Sequence, residues 1–190
     1  MRPLVSFMHV SLDGFVTGPN GEMNWIKVDD EIFDYAGDRT SKADTALYGR
    51  VTWEMMEGYW PTAADKPNAS KHDKEHSAWY NKVDKVVLSK TMEGQQLANT
   101  VIISDDIEHR VKALKQQAGG EIIMFGSPGA VHSLLQYDLI DEFWVFVNPI
   151  LVGKGTPLFK NVQQITKLQL VASKAFGCGV VCLHYKKINA

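Results

Sequence analysis

Three short apolar runs each end in residues suited to holding an anion: ALYGRVTWE at 46–54, KVVLSK at 85–90 and EIIMFGSPGAV at 121–131. Each run is aliphatic or β-branched and stops at Gly or Ser, and the first and third pass straight into a helical pattern. A helix begins with backbone N–H groups that lack intrahelical partners and carry partial positive charge, so such a junction attracts phosphate. Arg50 and Lys90 add cationic side chains at two of the junctions. An Arg fork makes paired, charge-assisted bonds to phosphate oxygens. The order and spacing of the three junctions point to a nucleotide lying across the ends of a sheet.

Holding those residues in one place takes an alternation of strands and helices. Periodicity and chain breakers predict strands near 3–10, 43–48, 84–89, 100–103, 121–125, 141–148, 167–175 and 180–187. Helical patterns fall at 28–40, 51–57, 72–82, 105–118 and 128–136, with Asp105 and Asp106 in capping position and Gly119-Gly120 as a stop. Strands that alternate with helices form a largely parallel sheet covered on both faces. Only Gly177, Cys178 and Gly179 separate the last two strands, too little for a crossover, so these pair antiparallel. The expected fold is α/β, three layers around a mixed, mostly parallel sheet that ends in an antiparallel hairpin. The polar stretch at 61–74 reads as a surface loop.

At 190 residues the chain matches one domain spanning 1–190, able to bury roughly 70% of its unfolded surface. A charged content of 22% and a net charge of −2 lack the basic surplus of a nucleic-acid binder, and the five Trp residues form no evenly spaced stacking series. No stretch approaches the ~20 continuous apolar residues of a membrane helix. The start MRPLVSFMHVSLDGF is interrupted by His9 and Asp13, so it reads as a first strand and not as an export signal. Cys178 and Cys182 on an extended strand would stand about 13 Å apart, too far for a disulfide, and a reducing cytoplasm is the expected setting.

After the first strand comes SLDGFVTGPNGEMNW at 11–25, a Gly-rich connection that could close over a pocket or form an ordinary turn or small hairpin. This loop, Tyr48 to Glu54, Val87 to Lys90, Gly126 to Val131 and the late run LIDEFWVFVNPILVGKGTPLF at 139–159 occur in an order that covers nearly the whole chain. Together they resemble the dihydrofolate-reductase-like superfamily, and more closely the branch similar to the reductase domain of the riboflavin-pathway deaminase-reductase. The resemblance implies an NADPH-dependent reductase acting on a small heterocyclic or sugar-derived, pteridine- or pyrimidine-like compound. It implies cofactor contacts from Val16, Gly49, Arg50, Thr52, Ser89, Lys90 and the segment Gly126, Ser127, Pro128, Gly129, Ala130 and Val131. Within that set, Arg50 with Ser89 and Lys90 would meet the adenosine 2′-phosphate, and Thr52 the pyrophosphate. The H-x-E and P-C-x-x-C zinc pattern of the accompanying deaminase is absent from these 190 residues, so the reductase part alone is expected.

Where the family usually has two adjacent glycines, often joined by a cis peptide, this chain reads Gly126-Ser127-Pro128-Gly129. A cis bond before Pro costs only about 0.5 to 1 kcal/mol, so a kink could have moved to Ser127-Pro128; otherwise the loop is trans and reshaped. The resemblance also places a catalytic carboxylate at Asp30, although Asp29 and Glu31 flank it and three acids also suit a helix start; the riboflavin-pathway branch does not always keep that acid, and there the cofactor and a bound water would suffice. Met8, Val10, Val16, Trp25, Phe33 and Ile150 are candidate apolar walls, of which Met8, Trp25, Phe33 and Ile150 are expected to touch substrate. His72 and His76 stand four apart but lack a third ligand nearby, so a solvated helix is the preferred reading and no metal is expected. The other histidines show no nucleophile pattern. The run 143–147 and the aliphatic C-terminal hairpin leave apolar surface that suits a homodimer. A catalytically silent nucleotide-binding sensor is the second functional reading, and Arg50 and Lys90 argue against a third, a dinucleotide-independent ligand carrier.

Overall fold

The computed structural model describes residues 1–160, 162 and 164–188. Its strands are β1 (Leu4–Ser11), β2 (Phe15–Thr17), β3 (Ala43–Gly49), β4 (Asp84–Leu88), β5 (Thr100–Ile103), β6 (Glu121–Phe125), β7 (Glu142–Asn148), β8 (Thr156–Pro157), β9 (Leu168–Ala175) and β10 (Val181–Lys187). The helices are α1 (Asp30–Thr40), α2 (Arg50–Glu57), α3 (Lys71–Tyr80), α4 (Ile107–Gln116) and α5 (Pro128–Gln136). Eight strands form one sheet in the order β5-β4-β3-β6-β1-β7-β10-β9. Of these, only β10 runs against the rest, pairing antiparallel with both β7 and β9. The α/β fold with its mixed, mostly parallel sheet and antiparallel C-terminal hairpin is therefore the one the sequence predicts.

Alternation along β1 explains the layers. Leu4, Met8 and Val10 join a cluster that includes Val111 of α4 and Val131 and Leu134 of α5. Val5 points the other way, toward Ile32 and Ala36 of α1, and Phe7 lies between that cluster and a third around Tyr48, Tyr80 and Phe125. Strand β7 is buried on both faces, with Phe143, Trp144 and Phe146 in the core. The apolar surface expected at 143–147 is thus interior, and the exposed apolar side chains of the hairpin are Leu168, Leu170 and Val171 on edge strand β9 and Val181 at the start of β10.

Several local expectations change. The stretch at 61–74 is no plain loop: Trp60–Asp65 is a 3-10 helix, and Ser70 opens α3 with a reciprocal capping box to Asp73. Asp106 does take the N-cap position of α4, but in a left-handed conformation without a side-chain cap bond, while Asp105 pairs with Arg110 at 2.9 Å. Within the Gly-rich connection, β2 pairs antiparallel with β8, a contact between distant segments that no local pattern announces. Gly155 permits it: at φ +147 its backbone lies so close to Thr17 that a Cβ would sit 1.9 Å from the Thr17 carbonyl oxygen. Asp13 clasps the same two segments, accepting from Ser11 Oγ at 2.6 Å and from the Val152 and Gly153 amides at 3.1 and 2.8 Å. These bonds, the Ser11 hydroxyl first, hold its carboxyl below the usual carboxylate range.

At the amino ends of the parallel strands, charged groups are paired. Arg2 is buried and bonds the Gly120 carbonyl at 2.9 Å, Thr45 Oγ1 at 2.6 Å and the Asp44 carboxylate. Lys115 is likewise buried, bonding the Leu139 carbonyl at 2.8 Å and Asp141 at 2.7 Å. Asp141 in turn accepts the Leu4 amide at 2.7 Å.

Candidate functional site

At the carboxyl ends of β1, β3, β4 and β6 the sheet opens into a groove of about 620 Å³. Parallel sheets characteristically offer a crevice there, where the chain leaves successive strands for opposite faces. The register is direct: Gly49 and Leu88 are partners across β3 and β4, and Phe7 and Phe125 across β1 and β6.

Two helices begin in this groove, and neither start is capped by a side chain. The N-cap of α2 is Gly49, which has no oxygen to offer, and the N-cap of α5 is Ser127, whose hydroxyl points elsewhere. Ser127 Oγ donates to the Phe125 carbonyl at 3.0 Å and accepts the Gly49 amide at 2.9 Å, so one buried hydroxyl fastens the two junctions together. The first turns of both helices line the groove, so the amides there that have no intrahelical partner, after Pro128 in the case of α5, lie beside it, an arrangement suited to a doubly charged phosphate group. Thr52, buried in the first turn of α2, lies against Gly126.

The turn between β6 and α5 contains no cis peptide. The relocated kink at Ser127-Pro128 does not occur; instead Gly126 at φ +53 and Ser127 at φ +58 take left-handed conformations in succession. Pro128 then supplies the fixed φ of a first helical residue and gives up an N–H that would have had no partner there. Gly129, in open space, leaves the approach to the helix start clear.

Of the expected cofactor residues, Val16, Gly49, Arg50, Thr52, Gly126, Ser127, Pro128, Gly129 and Ala130 line the groove. Val131 does not, because the helical turn carries it into the core, where it is fully buried. Ser89 and Lys90 follow Leu88, which lines the groove, but lie beyond its rim; Ser89 Oγ is 3.2 Å from Thr91 Oγ1, and Lys90 is exposed. Arg50 is held within the protein by Glu54, which accepts from its Nη1 at 2.7 and 2.8 Å.

The expected substrate residues divide. Met8 is in the groove. Phe33 is not: its ring stacks on His72 at 3.8 Å between α1 and α3. Trp25 donates its indole N–H to the Glu22 carbonyl at 3.1 Å outside the groove, and Ile150, exposed, accepts the Leu12 amide at 2.8 Å through its backbone. Asp30 is exposed at the start of α1 and is also outside the groove, while Asp29 caps that helix by accepting the Ile32 amide at 2.9 Å. Among the described residues no carboxylate lines the groove; its ionisable members are His9 and Arg50.

Sequence patterns missed the aromatic and sulfur-rich wall formed by Phe7, Met23, Met55, Met56 and Phe125, and they missed His9. A lone His inside an apolar run gave no signal beyond interrupting it. His9 stacks on Phe146 with centroids 4.9 Å apart, and burial pushes its pKa down to about 4. His76, expected on a solvated helix face, is instead enclosed by Trp60, Trp79 and Phe125, and burial pushes its pKa down to about 3. No cluster of three or more metal-ligating side chains occurs among the described residues.

A second depression, at the amino ends of the strands, is lined by Arg2, Asp44, Asp84 and Lys85. Arg2 and Asp44 are spent on each other, and the Lys85 ammonium lies over the Tyr80 ring at 4.4 Å, so less is left there to hold a ligand. Among the described residues no helix is long and apolar enough to cross a membrane.

A family model described as the RibD C-terminal domain matches residues 2–182. The uncharacterized protein YyaP of Bacillus subtilis is 32% identical over 187 residues, covering 97% of this chain and 94% of YyaP. Among solved structures, a pyrimidine reductase-like protein of Corynebacterium diphtheriae superposes with a TM-score of 0.69 at 15% identity, covering 100% of this chain and 93% of that one. Dihydrofolate reductase of Enterococcus faecalis, complexed with NADP(H) and RAB-propyl, superposes with a TM-score of 0.65 at 12% identity, covering 98% of this chain and 97% of that one.

Proposed function

The chain belongs to the RibD C-terminal domain family, within the dihydrofolate-reductase-like superfamily, and from that premise we propose that it is an NADPH-dependent reductase of a small heterocycle. The observation that carries the reading is the meeting of two uncapped helix starts, fastened by Ser127, at one end of the sheet. Their amides would hold the pyrophosphate, with the Thr52 hydroxyl beside them, and Arg50 at the same rim would reach the 2′-phosphate once released from Glu54. When bound, the cofactor supplies hydride to an unsaturated C=N or C=O carbon. Phe7, Met8, Met23 and Phe125 form an apolar wall that would exclude water and hold a flat ring at near-attack distance. Because no carboxylate among the described residues lines the groove, the accompanying proton would come from a water at its open rim, outside the apolar wall, and Asp30 would remain a charge favourable to the start of α1.

In this reading the protein works in the cytoplasm and as a homodimer, without nucleic-acid partners. Edge strand β9, with its exposed Leu168, Leu170 and Val171, supports the dimer by offering both an apolar strip and an unpaired strand edge.

Fluorescence titration with NADPH and NADH tests the reading. Arg50→Ala should weaken NADPH about 10- to 100-fold, the range for loss of a charge-assisted bond, and NADH by less than about threefold. Equal losses for both would remove the 2′-phosphate contact. Absence of NADPH binding to the unmodified protein would remove the reading itself.

A further inference from the structure

We infer that His9 recognises the substrate, donating a hydrogen bond from its Nε2–H to a carbonyl oxygen or ring nitrogen of the bound heterocycle. The inference rests on the reductase reading above and names the feature of the substrate that the groove selects.

The orientation of His9 is set from behind by Asn148, which is fully buried at the end of β7. Asn148 Oδ1 accepts the Lys27 amide at 2.8 Å, which fixes which end of the side-chain amide is oxygen. Its Nδ2 therefore carries the donors, and these reach the Val10 and Phe146 carbonyls at 3.2 Å each. The same nitrogen stands 3.5 Å from His9 Nδ1. Both Nδ2 hydrogens are directed at carbonyls and an amide nitrogen has no free lone pair, so an Nδ1–H would point at an atom that cannot accept it; Nδ1 therefore presents its lone pair toward the positive edge of the amide, and the ring proton resides on Nε2.

Nε2 has no hydrogen-bond partner among the described residues, although His9 lines the groove. Phe146 covers one face of the imidazole, and Phe7 leans against it with centroids 5.9 Å apart, so the ring cannot easily turn away. Burial keeps the imidazole neutral near pH 7. A neutral donor held beside aromatic and thioether side chains suits an uncharged, flat ring that carries an acceptor. An acceptor is also what the site demands, because a ligand that set a donor against Nε2 would leave two N–H groups opposed between apolar walls.

Long-range ¹H–¹⁵N NMR of the intact protein reads the tautomer directly. The expected result is a neutral His9 protonated at Nε2 from pH 6 to 8; an Nδ1–H tautomer or an imidazolium overturns the inference. The ligand arm uses lumazine, a fluorescent pteridinedione with ring carbonyls, titrated into protein saturated with NADP⁺. His9→Phe keeps the stacking on Phe146 but removes the donor, and should weaken lumazine about tenfold, while His9→Gln, which restores an N–H, should recover most of that loss. NADP⁺ affinity should stay within about twofold in both variants. Equal lumazine affinity in the unmodified protein and His9→Phe, or no lumazine binding to an NADP⁺-saturated protein, overturns the inference and leaves the cofactor reading standing. If NADP⁺ itself fails to bind, the reductase reading fails, whereas the NMR result still decides the state of His9.

Discussion

The two ends of the sheet are built on opposite rules. At the amino ends of the strands, polar groups find partners within the protein: Arg2 closes on Gly120, Thr45 and Asp44, and Lys115 on Leu139 and Asp141. At the carboxyl ends, donors at the starts of α2 and α5 and at His9 Nε2 have no partner among the described residues, and Met and Phe side chains surround them. Unpaired donors are unfavourable in isolation, and those gathered along the groove mark where the fold gives up stability for binding; Ser6 Oγ, Tyr48 OH, Trp53 Nε1 and Trp144 Nε1 are also buried without partners, but their residues do not line it. A depression of similar size exists at both ends, about 570 and 620 Å³, and so size does not distinguish them; hydrogen-bond satisfaction does.

The contrast breaks most visibly at Arg2. Arg2→Ala should lower stability by about 2 to 4 kcal/mol, because it strands buried groups on β3 and at Gly120, short of the full penalty because Asp44 is half exposed. For a chain of this length that corresponds to roughly 4 to 16 °C in Tm, while the NADPH affinity of the folded protein should not change. A weakened cofactor affinity at temperatures well below Tm would show that the two ends are coupled.

A second variant at the paired end tests acid stability. The His184 hydrogen bond, followed by Arg39, holds the Glu142 carboxyl at about 2, below its ordinary 4.5. A depressed carboxylate contributes stability that is complete above its unfolded pKa and disappears as pH falls through the folded value. Glu142→Gln should therefore lose on the order of 2 to 3 kcal/mol at pH 7, and the gap to the unmodified protein should close between about pH 4.5 and 2. Urea unfolding across that range checks it; a gap independent of pH would assign the loss to shape and not to charge.

The smallest effect is expected at the open end. Glu54 occupies the Arg50 guanidinium through an exposed bond between residues four apart on α2, an interaction of about 0.3 to 0.5 kcal/mol. Glu54→Gln should leave Tm nearly unchanged and tighten NADPH about twofold with no gain for NADH. A gain shared by both cofactors would mean that Glu54 acts through the general field of the groove and not through Arg50.

Much of this architecture was legible because its signals are local. The eight long strands fall within about a residue or two of their expected positions, since alternation and β-branched runs are written in consecutive residues. The helix starts at Gly49 and at Ser127-Pro128 were legible for the same reason, and both line the groove. Other features depend on partners that no window of sequence contains. Phe33 left the groove because His72 offered it a stacking face, and His76 left solvent because three rings enclosed it. The loop after β1 became a strand because Gly155 admitted Thr17 to close approach.

The amino-acid sequence by itself determined the alternation of elements and the anion-seeking character of the strand-to-helix junctions, because hydrophobic period, turn residues and unpaired helix-start amides act over a few neighbouring positions. Only the tertiary structure decided which of those junctions share a groove, which acids stay outside it and which tautomer of His9 faces it. That last decision is made by Asn148, 139 residues further along the chain. Contacts over such distances are set by the sum of packing and hydrogen-bond satisfaction across the whole fold, and no local stretch of residues carries that sum.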